Sequence, residues 1–211
     1  MGIRMMATFP EHDTTTYYLS KWGEISANAA RDHGIEVIEL KGEKATRKNL
    51  ESYLSKFPFC MVFLNGHGDQ DTVTGHKNEP LVISGVNESI LKSTVTYAIS
   101  CSTASRLGDS SIRAGAHCYV GYTNDFIFLM DENSYTRPLQ DKVAALFLAH
   151  TSVFMNTLFK GNTVAEAFEK AKKSLWENIT VAESTGNTDL LSWLLWDYNS
   201  FVAKGDTAHK L

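Results

Sequence analysis

The chain has 211 residues, of which 43% are hydrophobic and 21% charged, and its formal net charge is −4 at pH 7. These values are typical of one globular domain spanning residues 1–211 with a sizeable core. The acidic balance and the absence of Lys/Arg runs argue against nucleic-acid binding, and no apolar run approaches the length of a membrane span. Three cysteines without paired spacing, and no signal-peptide pattern, favour a reducing, cytoplasmic compartment.

The N-terminal part of the chain alternates apolar strands with amphipathic helices. Strands are predicted over residues 3–9, 35–40 and 59–64, and helices over residues 14–31 and 46–56, from apolar periodicity, caps and Gly or Pro stops. Strands that alternate with helices of this length form βαβ units with right-handed crossovers. The sequence therefore predicts an α/β fold with a mainly parallel sheet.

The middle of the chain departs from this alternation after the third strand. A β-hairpin is predicted over residues 71–83, then a short helix over 87–92, a strand over 95–99, a helix over 103–114 and a strand over 117–122. The hairpin is interpreted as an insertion between two strands of the parallel sheet.

The C-terminal part is predicted to be mostly helical. Residues 124–138 form a long irregular segment, helices are predicted over 139–159 and 163–178, and the aromatic residues of 190–201 are predicted to pack as a final core segment. Long loops in compact domains are usually functional or mobile, so residues 124–138 are a candidate part of a site.

Two predicted strands end in residues that can carry out chemistry. The strand over 95–99 is followed by Cys101, and the strand over 59–64 is followed by His67, which lies between two glycines. If these strands are parallel neighbours, their carboxyl ends bring His67 and Cys101 together as a cysteine-hydrolase dyad. A helix that begins directly after Cys101 is expected to give the thiol thiolate character. A buried, inert cysteine is the alternative for Cys101 taken alone.

These residues resemble the signature of the caspase-like cysteine peptidases, a group that includes caspases, gingipains, separases and CHAT domains. The shared signature is a strand that ends in His-Gly and a later strand that ends in Ala/Ser-Cys. It is matched here by Asn65-Gly66-His67-Gly68 and by Ile99-Ser100-Cys101. The resemblance covers about residues 59–175, with the motifs in the family's order.

Further matches favour the CHAT branch of this group. CHAT domains tend to read Cys-x-Thr-Gly at the cysteine, and here Thr103 occupies the threonine position and Ala104 the glycine position. A Gly-Ala pair before the next strand is matched by Gly115-Ala116, and a helical Leu-x-x-Gly-x-Thr-x-x-x-Ala pattern is matched by residues 158–167.

The resemblance implies a three-layer α/β/α caspase-like fold with a mainly parallel central sheet, and a cysteine endopeptidase that needs no cofactor. It implies that Cys101 attacks the peptide carbonyl and that His67 protonates the leaving amine and activates water. The backbone N–H groups of Gly68 and Cys101 are implied to stabilise the oxyanion. The expected partners are a protein or peptide substrate and a regulatory protein, with no nucleic acid and no membrane.

Substrate preference is less constrained by these motifs. In several relatives the position of Ile99 helps to line the pocket for the residue before the scissile bond, and it is polar or acidic there. An isoleucine offers nothing to a basic side chain, so a basic-specific enzyme needs a carboxylate from the loop, where Asp125, Asp131 and Glu132 are candidates. Solvation of the loop is an equal alternative role for each of these acids. Without an evident arginine cluster, acidic specificity is disfavoured, and an apolar residue is slightly preferred over a basic one.

Two other classes of function stay open, namely a catalytically silent binding or scaffold domain of the same fold and a flavodoxin-like small-molecule binder. The presence of both His67 and Cys101 argues against the first class. The absence of a phosphate-binding loop after the first strand argues against the second. The histidines and cysteines lack Cys-x-x-Cys or His-x-x-x-His spacing, so no metal site is predicted, and His76 is interpreted as a solvated loop residue.

Overall fold

The computed structural model describes residues 2–211, in which strands and helices alternate before a helical C-terminal part. The elements in chain order are β1 (Arg4–Phe9), α1 (Thr14–Asp32), β2 (Glu36–Lys41), α2 (Arg47–Lys56), β3 (Met61–Asn65), β4 (Thr72–Thr74), β5 (Pro80–Ile83), β6 (Val95–Ile99), α3 (Arg106–Arg113), β7 (Cys118–Tyr122), α4 (Lys142–Phe159), α5 (Val164–Thr185), α6 (Thr188–Ser200) and β8 (Phe201–Gly205).

Six of these strands form one sheet in the order β2-β1-β3-β6-β7-β8. The neighbours from β2 to β7 are parallel, whereas β8 pairs antiparallel with β7 at the edge. The strands β4 and β5 form a separate antiparallel hairpin between β3 and β6. The predicted α/β fold with a mainly parallel sheet is therefore confirmed, as is the inserted hairpin.

Helices cover both faces of the sheet, which gives three layers. Alternate strand side chains enter two separate apolar clusters, so that Phe63 and Tyr97 lie in the larger cluster while Val62 and Ala98 lie in the smaller one. The larger cluster is completed by residues of α1, α4, α5 and α6, and the smaller one by residues of α2, α3 and the hairpin. This period-two division explains why the central strands are apolar at consecutive positions, because both faces are buried.

Helix α4 is long and apolar enough, by length and composition alone, to cross a membrane. This corrects the expectation that no segment of the chain reaches that length and apolarity. In the fold 56% of this helix is buried, and it packs between α1 and α5. Its composition is thus accounted for by its place in the core of the larger cluster.

The segment after Cys101 differs from the prediction of a helix over residues 103–114. The helix α3 begins only at Arg106, and residues 101–105 form turns, with Ser102 in the left-handed region at φ 58°. The N–H groups of Ser102 and Ala104 donate to carbonyl oxygens of Asn124 and Tyr122, both at 2.9 Å. Bonds to the segment after β7 therefore replace the helical bonds that the sequence pattern suggested.

The C-terminal end also differs from the prediction. Residues 190–201 were expected to form one core segment, but α6 ends at Ser200 and the chain continues as the edge strand β8. Pairing begins with Phe201 opposite Tyr122. Strand formation here depends on the free edge of β7, which no local pattern in residues 201–205 reveals.

Candidate active site

The ends of β3 and β6 bring the two predicted catalytic residues to one edge of the sheet. These strands are parallel neighbours with Asn65 opposite Ile99, and the N–H of Gly66 still donates to the Ile99 carbonyl at 3.3 Å. His67 and Cys101 each lie two residues beyond the Asn65–Ile99 pair. Since neighbouring strands are about 4.8 Å apart, the two residues occupy matching positions at the carboxyl edge.

The backbone at Gly68 is packed closely against the segment around the cysteine. A Cβ at this position would lie 2.2 Å from the Ser100 Oγ and 2.4 Å from the Thr72 carbonyl oxygen, so only glycine fits. Among the hydrogen bonds of residues 2–211, the N–H groups of Gly68 and Cys101 donate to no carbonyl or side-chain oxygen. Both N–H groups are thus without an oxygen partner, one on the residue after His67 and one on Cys101 itself, an arrangement that suits a developing oxyanion.

Asp13 contacts His67 from the start of α1 and belongs to no motif of the sequence. Its Oδ2 is 2.7 Å from the His67 Nε2, while its Oδ1 accepts from the Thr16 N–H at 2.7 Å and the Thr16 Oγ at 2.8 Å. The second pair of bonds is a helix N-cap that fixes the carboxylate. With Nε2 occupied by Asp13, Nδ1 is the ring nitrogen of His67 that is free to face a substrate.

The pKa of Asp13 reflects these contacts. Partial burial acts to raise it, but hydrogen bonds from Thr16 and from His67 hold the pKa of Asp13 below its ordinary value. The carboxylate is therefore ionised near neutral pH and can orient the imidazole and stabilise it when it is protonated.

The environment of Cys101 does not match the expected thiolate stabilisation. Burial raises the pKa of the Cys101 thiol, and the nearby carboxylate of Asp125 raises it further. The thiol lies 3.7 Å from the Phe126 carbonyl oxygen, to which it donates. Because the first helical turn begins only at Arg106, no helix N-terminus lies directly after the cysteine to offset these effects.

The three acidic residues proposed for substrate binding lie in different places along the loop. Asp125 is exposed next to the cysteine segment, and its Oδ1 accepts from the Ser102 hydroxyl at 2.8 Å. Asp131 and Glu132 lie farther along, where the Asp131 N–H donates to the Asp141 carboxylate at 2.9 Å and Asp131 caps a 3-10 turn. Only Asp125 therefore has a contact with the segment that carries Cys101.

Ile99 is 1% exposed and belongs to the larger apolar cluster. Its side chain is covered by core residues and has no open face toward the sheet edge. The predicted contribution of Ile99 to a substrate pocket is therefore wrong: alternation directs Ile99 to the same face as Cys101, but on that face Ile99 is covered by the larger cluster, whereas Cys101 lies beyond the end of the strand.

A buried polar layer lies behind the loop. The fully buried Asp197 accepts from the Ile127 N–H at 3.1 Å, and burial raises the pKa of Asp197 well above its ordinary value. The fully buried His150 is hydrogen-bonded to the Tyr122 hydroxyl at 2.7 Å, and burial lowers the pKa of His150 to about 4. Both groups favour their uncharged forms in the folded protein.

His12 lies beside His67, and His76 lies beside His12. The ring centroid of His12 is 6.0 Å from that of His67 and 5.7 Å from that of His76, with both pairs edge-on. His76 is half-buried rather than solvated, and its Nδ1 has no hydrogen-bond partner among the described residues. The donor atoms of His12, Asp13 and His67 all lie within 4.8 Å of one another, which is a possible metal-ligand set. The spacing rule missed it because the fold, not the local sequence, joins residues 12–13 to residue 67.

The strand order of the sheet, and not a sequence motif, accounts for the position of Asp13 and His12 beside His67. They follow β1, and β1 pairs with β3, so the loops after both strands emerge at the same edge. Local sequence predicts the strand and the helix around these two residues but not which strands are neighbours.

The comparisons with solved structures show the fold. The chain is similar to the crystal structure of the Arg-specific cysteine proteinase gingipain R (RgpB), with a TM-score of 0.67 and 12% identity over 99% of this chain and 47% of the other. It is also similar to a complex of the pro- and mature domains of Porphyromonas gingivalis RgpB, with a TM-score of 0.54 and 12% identity over 98% of this chain and 47% of the other.

The chain thus spans about half the length of these gingipain chains. No protein-family model matches the sequence, and no curated protein matches it significantly. The three-layer caspase-like fold expected from the resemblance is confirmed, at an identity that shows the fold alone.

Proposed function

We propose that this protein is a cysteine endopeptidase in which Cys101 is the nucleophile, His67 the general acid–base and Asp13 the residue that orients His67. The supporting observation is the matching position of His67 and Cys101 beyond adjacent parallel strands, next to two unused N–H donors. A caspase-like fold shared with a cysteine proteinase supports the same reaction class. The CHAT-type matches around Thr103 make membership of that branch a part of this proposal.

The raised pKa of Cys101 determines how the reaction begins. Because the resting thiol is protonated, its proton must pass to His67 as the sulfur attacks the peptide carbonyl. The carbonyl oxygen then carries negative charge, which the N–H groups of Gly68 and Cys101 stabilise by roughly 2.7–4 kcal/mol each. Asp13 stabilises the imidazolium that forms.

The second half of the reaction returns the site to its starting state. His67 gives its proton to the leaving amine as the C–N bond breaks, which leaves an acyl group on the Cys101 sulfur. His67 then takes a proton from water, whose oxygen attacks the thioester, and returns the proton to the sulfur as the acid product leaves. General acid–base catalysis of this kind contributes on the order of 10²–10⁴ in rate.

For the residue before the scissile bond, the loop favours a basic side chain over the apolar one that the sequence slightly preferred. An apolar pocket was expected at Ile99, but Ile99 is buried. Asp125 is an exposed carboxylate held by Ser102 next to the thiol, and it can pair with a cation. The gingipain R to which the chain is similar is described as Arg-specific, which agrees with this assignment.

The proposal is tested with peptide probes that carry an electrophile after arginine, leucine or aspartate. We expect covalent labelling of Cys101 in the wild-type protein, fastest with the arginine probe, and loss of labelling in Cys101→Ala. His67→Ala should slow labelling and peptide cleavage by roughly 10²–10⁴. Cys60→Ala is the matched control, because Cys60 is another half-buried thiol that lies at the opposite end of β3.

Wild-type cleavage rates in either Cys101→Ala or His67→Ala contradict the mechanism. Equal labelling of Cys60 and Cys101 would show that the probe reports thiol accessibility and not a catalytic site. Circular dichroism of each variant separates loss of activity from loss of fold.

A second candidate function is a catalytically silent binding domain of the same fold. The observation that favours it is the raised pKa of Cys101, which an active thiol nucleophile must overcome. The labelling experiment separates the two, because a silent domain leaves Cys101 unlabelled by the peptide probes while the fold is intact.

A further inference from the structure

The cluster of His12, Asp13 and His67 has the composition of an open zinc site. The His67 Nε2 and the His12 Nε2 lie 2.7 Å and 3.5 Å from the same Asp13 oxygen, and all three ligand atoms lie within 4.8 Å of one another. Zn–N and Zn–O distances of about 2.0–2.2 Å and tetrahedral angles separate ligand atoms by roughly 3.3–3.5 Å. Small side-chain movements therefore suffice to place all three atoms around one ion.

The ligands are held in place before any metal arrives. The Asp13 Oδ1 is bound by Thr16, so its Oδ2 is presented to the two histidines. The His12 side chain is only 11% exposed, and its Nε2 lies 3.2 Å from the Asn78 Oδ1. Little side-chain freedom remains to be lost on binding, which favours affinity.

The surroundings provide access and room for solvent. His67 and Asp13 are 37% and 39% exposed at the side chain, and a cavity of about 320 Å³ is lined by His12, Asp13, Tyr17 and Tyr135 among others. A bound ion can therefore reach the cluster and keep a water molecule as its fourth ligand. Two imidazoles and one carboxylate suit Zn²⁺ and not Ca²⁺ or Mg²⁺, which prefer all-oxygen ligands.

We propose that Zn²⁺ binds reversibly to His12, Asp13 and His67 and, when bound, inhibits the peptidase. The binding half stands on the geometry alone, and the inhibitory half rests on the proposed function. A neutral imidazole has one nitrogen lone pair, so a metal on Nε2 of His67 leaves a proton on Nδ1. His67 then cannot accept the thiol proton, and Asp13 is withdrawn from its orienting role. Zinc release restores both residues.

The binding half is tested by isothermal titration of metal-free protein with Zn²⁺. We expect one site in the wild-type protein, with affinity at least ~10-fold weaker in His12→Ala and in His12→Gln, which keeps an amide beside Asn78. Cys101→Ala should bind zinc as the wild type does, because the thiol is not a ligand. His33→Ala is the matched control, since His33 lies at the far end of α1.

Several results would overturn this binding site: no heat of zinc binding in the wild-type protein, unchanged affinity in both His12 variants, or loss of affinity in Cys101→Ala, which would place the metal on the thiol. The inhibitory half is tested by the cleavage rate without Zn²⁺ divided by the cleavage rate with Zn²⁺, measured for each protein. We expect a large ratio in the wild type and a ratio near one in His12→Ala, and equal ratios contradict the proposal. Because titration needs no activity, zinc can bind even if the peptidase proposal fails, and metal-free labelling of Cys101 tests that proposal separately.

Discussion

The two carboxylate oxygens of Asp13 make two different contacts. Its Oδ1 caps α1 through Thr16, and its Oδ2 contacts the imidazole of His67. Because each oxygen has its own partners, a substitution can remove one of these contacts and keep the other. Asparagine is as good an N-cap as aspartate, but its amide nitrogen donates where the carboxylate accepts.

We therefore predict that Asp13→Asn leaves the fold stable while it reduces catalysis. The free energy of unfolding should change by less than about 0.5 kcal/mol, whereas kcat should fall by up to ~10⁴ with KM little changed, because the imidazole is held in the wrong tautomer. Urea denaturation and steady-state kinetics measure the two effects.

The matched variant Asp13→Ala loses both contacts. It should lower the free energy of unfolding by about 1 kcal/mol for the lost cap, in addition to the loss of kcat. A wild-type kcat in Asp13→Asn would show that Asp13 only caps the helix.

Strand β8 is the element whose formation is least evident from its local sequence. Phe201, its first residue, is 2% exposed and packs against the rings of Tyr122 at 5.2 Å and Phe168 at 4.9 Å between centroids. The same strand pairs with β7, whose C-terminal end supplies the carbonyl oxygen that holds Ala104 in the turns after Cys101. The edge strand β8 thus stabilises β7, which in turn holds the turns after Cys101.

We predict that Phe201→Ala lowers the free energy of unfolding by roughly 3–5 kcal/mol, because it leaves a cavity between α5 and the sheet. Val202→Ala is the matched control, since Val202 lies on the opposite face of β8 and is only partly buried. Urea denaturation of the two variants provides the measurement. Similar losses in both variants would mean that β8 contributes through strand pairing and not through this aromatic contact.

At the scale of the whole molecule, two buried groups have opposite effects on stability as pH changes. The pKa of Asp197 is raised above 3.8, so above that pH the unfolded chain releases a proton that the folded protein keeps, and stability falls as pH rises. The pKa of His150 is lowered from 6.5 to about 4, so below pH 6.5 the unfolded chain takes up a proton first, and stability falls as pH falls. Between pH 4 and 6.5 the two effects oppose each other.

We predict that Asp197→Asn removes the first effect. The difference in free energy of unfolding between the variant and the wild type should shift in favour of the variant as pH rises above about 4. The slope should reach about 1.4 kcal/mol per pH unit while the folded wild type keeps its proton. Urea denaturation over a series of pH values measures this slope, and any constant cost of the amide is a pH-independent offset.

Asp189→Asn, on the exposed first turn of the same helix, is the matched control and should parallel the wild type. A difference between Asp197→Asn and the wild type that stays constant with pH would show that Asp197 titrates alike in the folded and unfolded states.

Local sequence determined the elements whose signals lie in a few neighbouring residues. The caps at Thr46 and Thr163 mark the starts of α2 and α5, and the apolar runs before Gly66 and Cys101 mark β3 and β6. The alternation of these elements was sufficient to predict a parallel sheet. It also predicted that His67 and Cys101 follow strands, because the end of each strand and the reactive residue after it lie within a few consecutive residues.

Only the tertiary structure decided what meets at the edge of that sheet. The pairing of β1 with β3 brings Asp13 and His12 to His67, across more than fifty residues of chain. Hydrogen bonds to the carbonyl oxygens of Asn124 and Tyr122 replace the helix expected after Cys101. Burial and the Asp125 carboxylate from the loop then raise the pKa of the Cys101 thiol, which the local pattern suggested would be lowered. Strand order, burial and the electrostatic field depend on residues that are distant in sequence, so no local pattern reveals them.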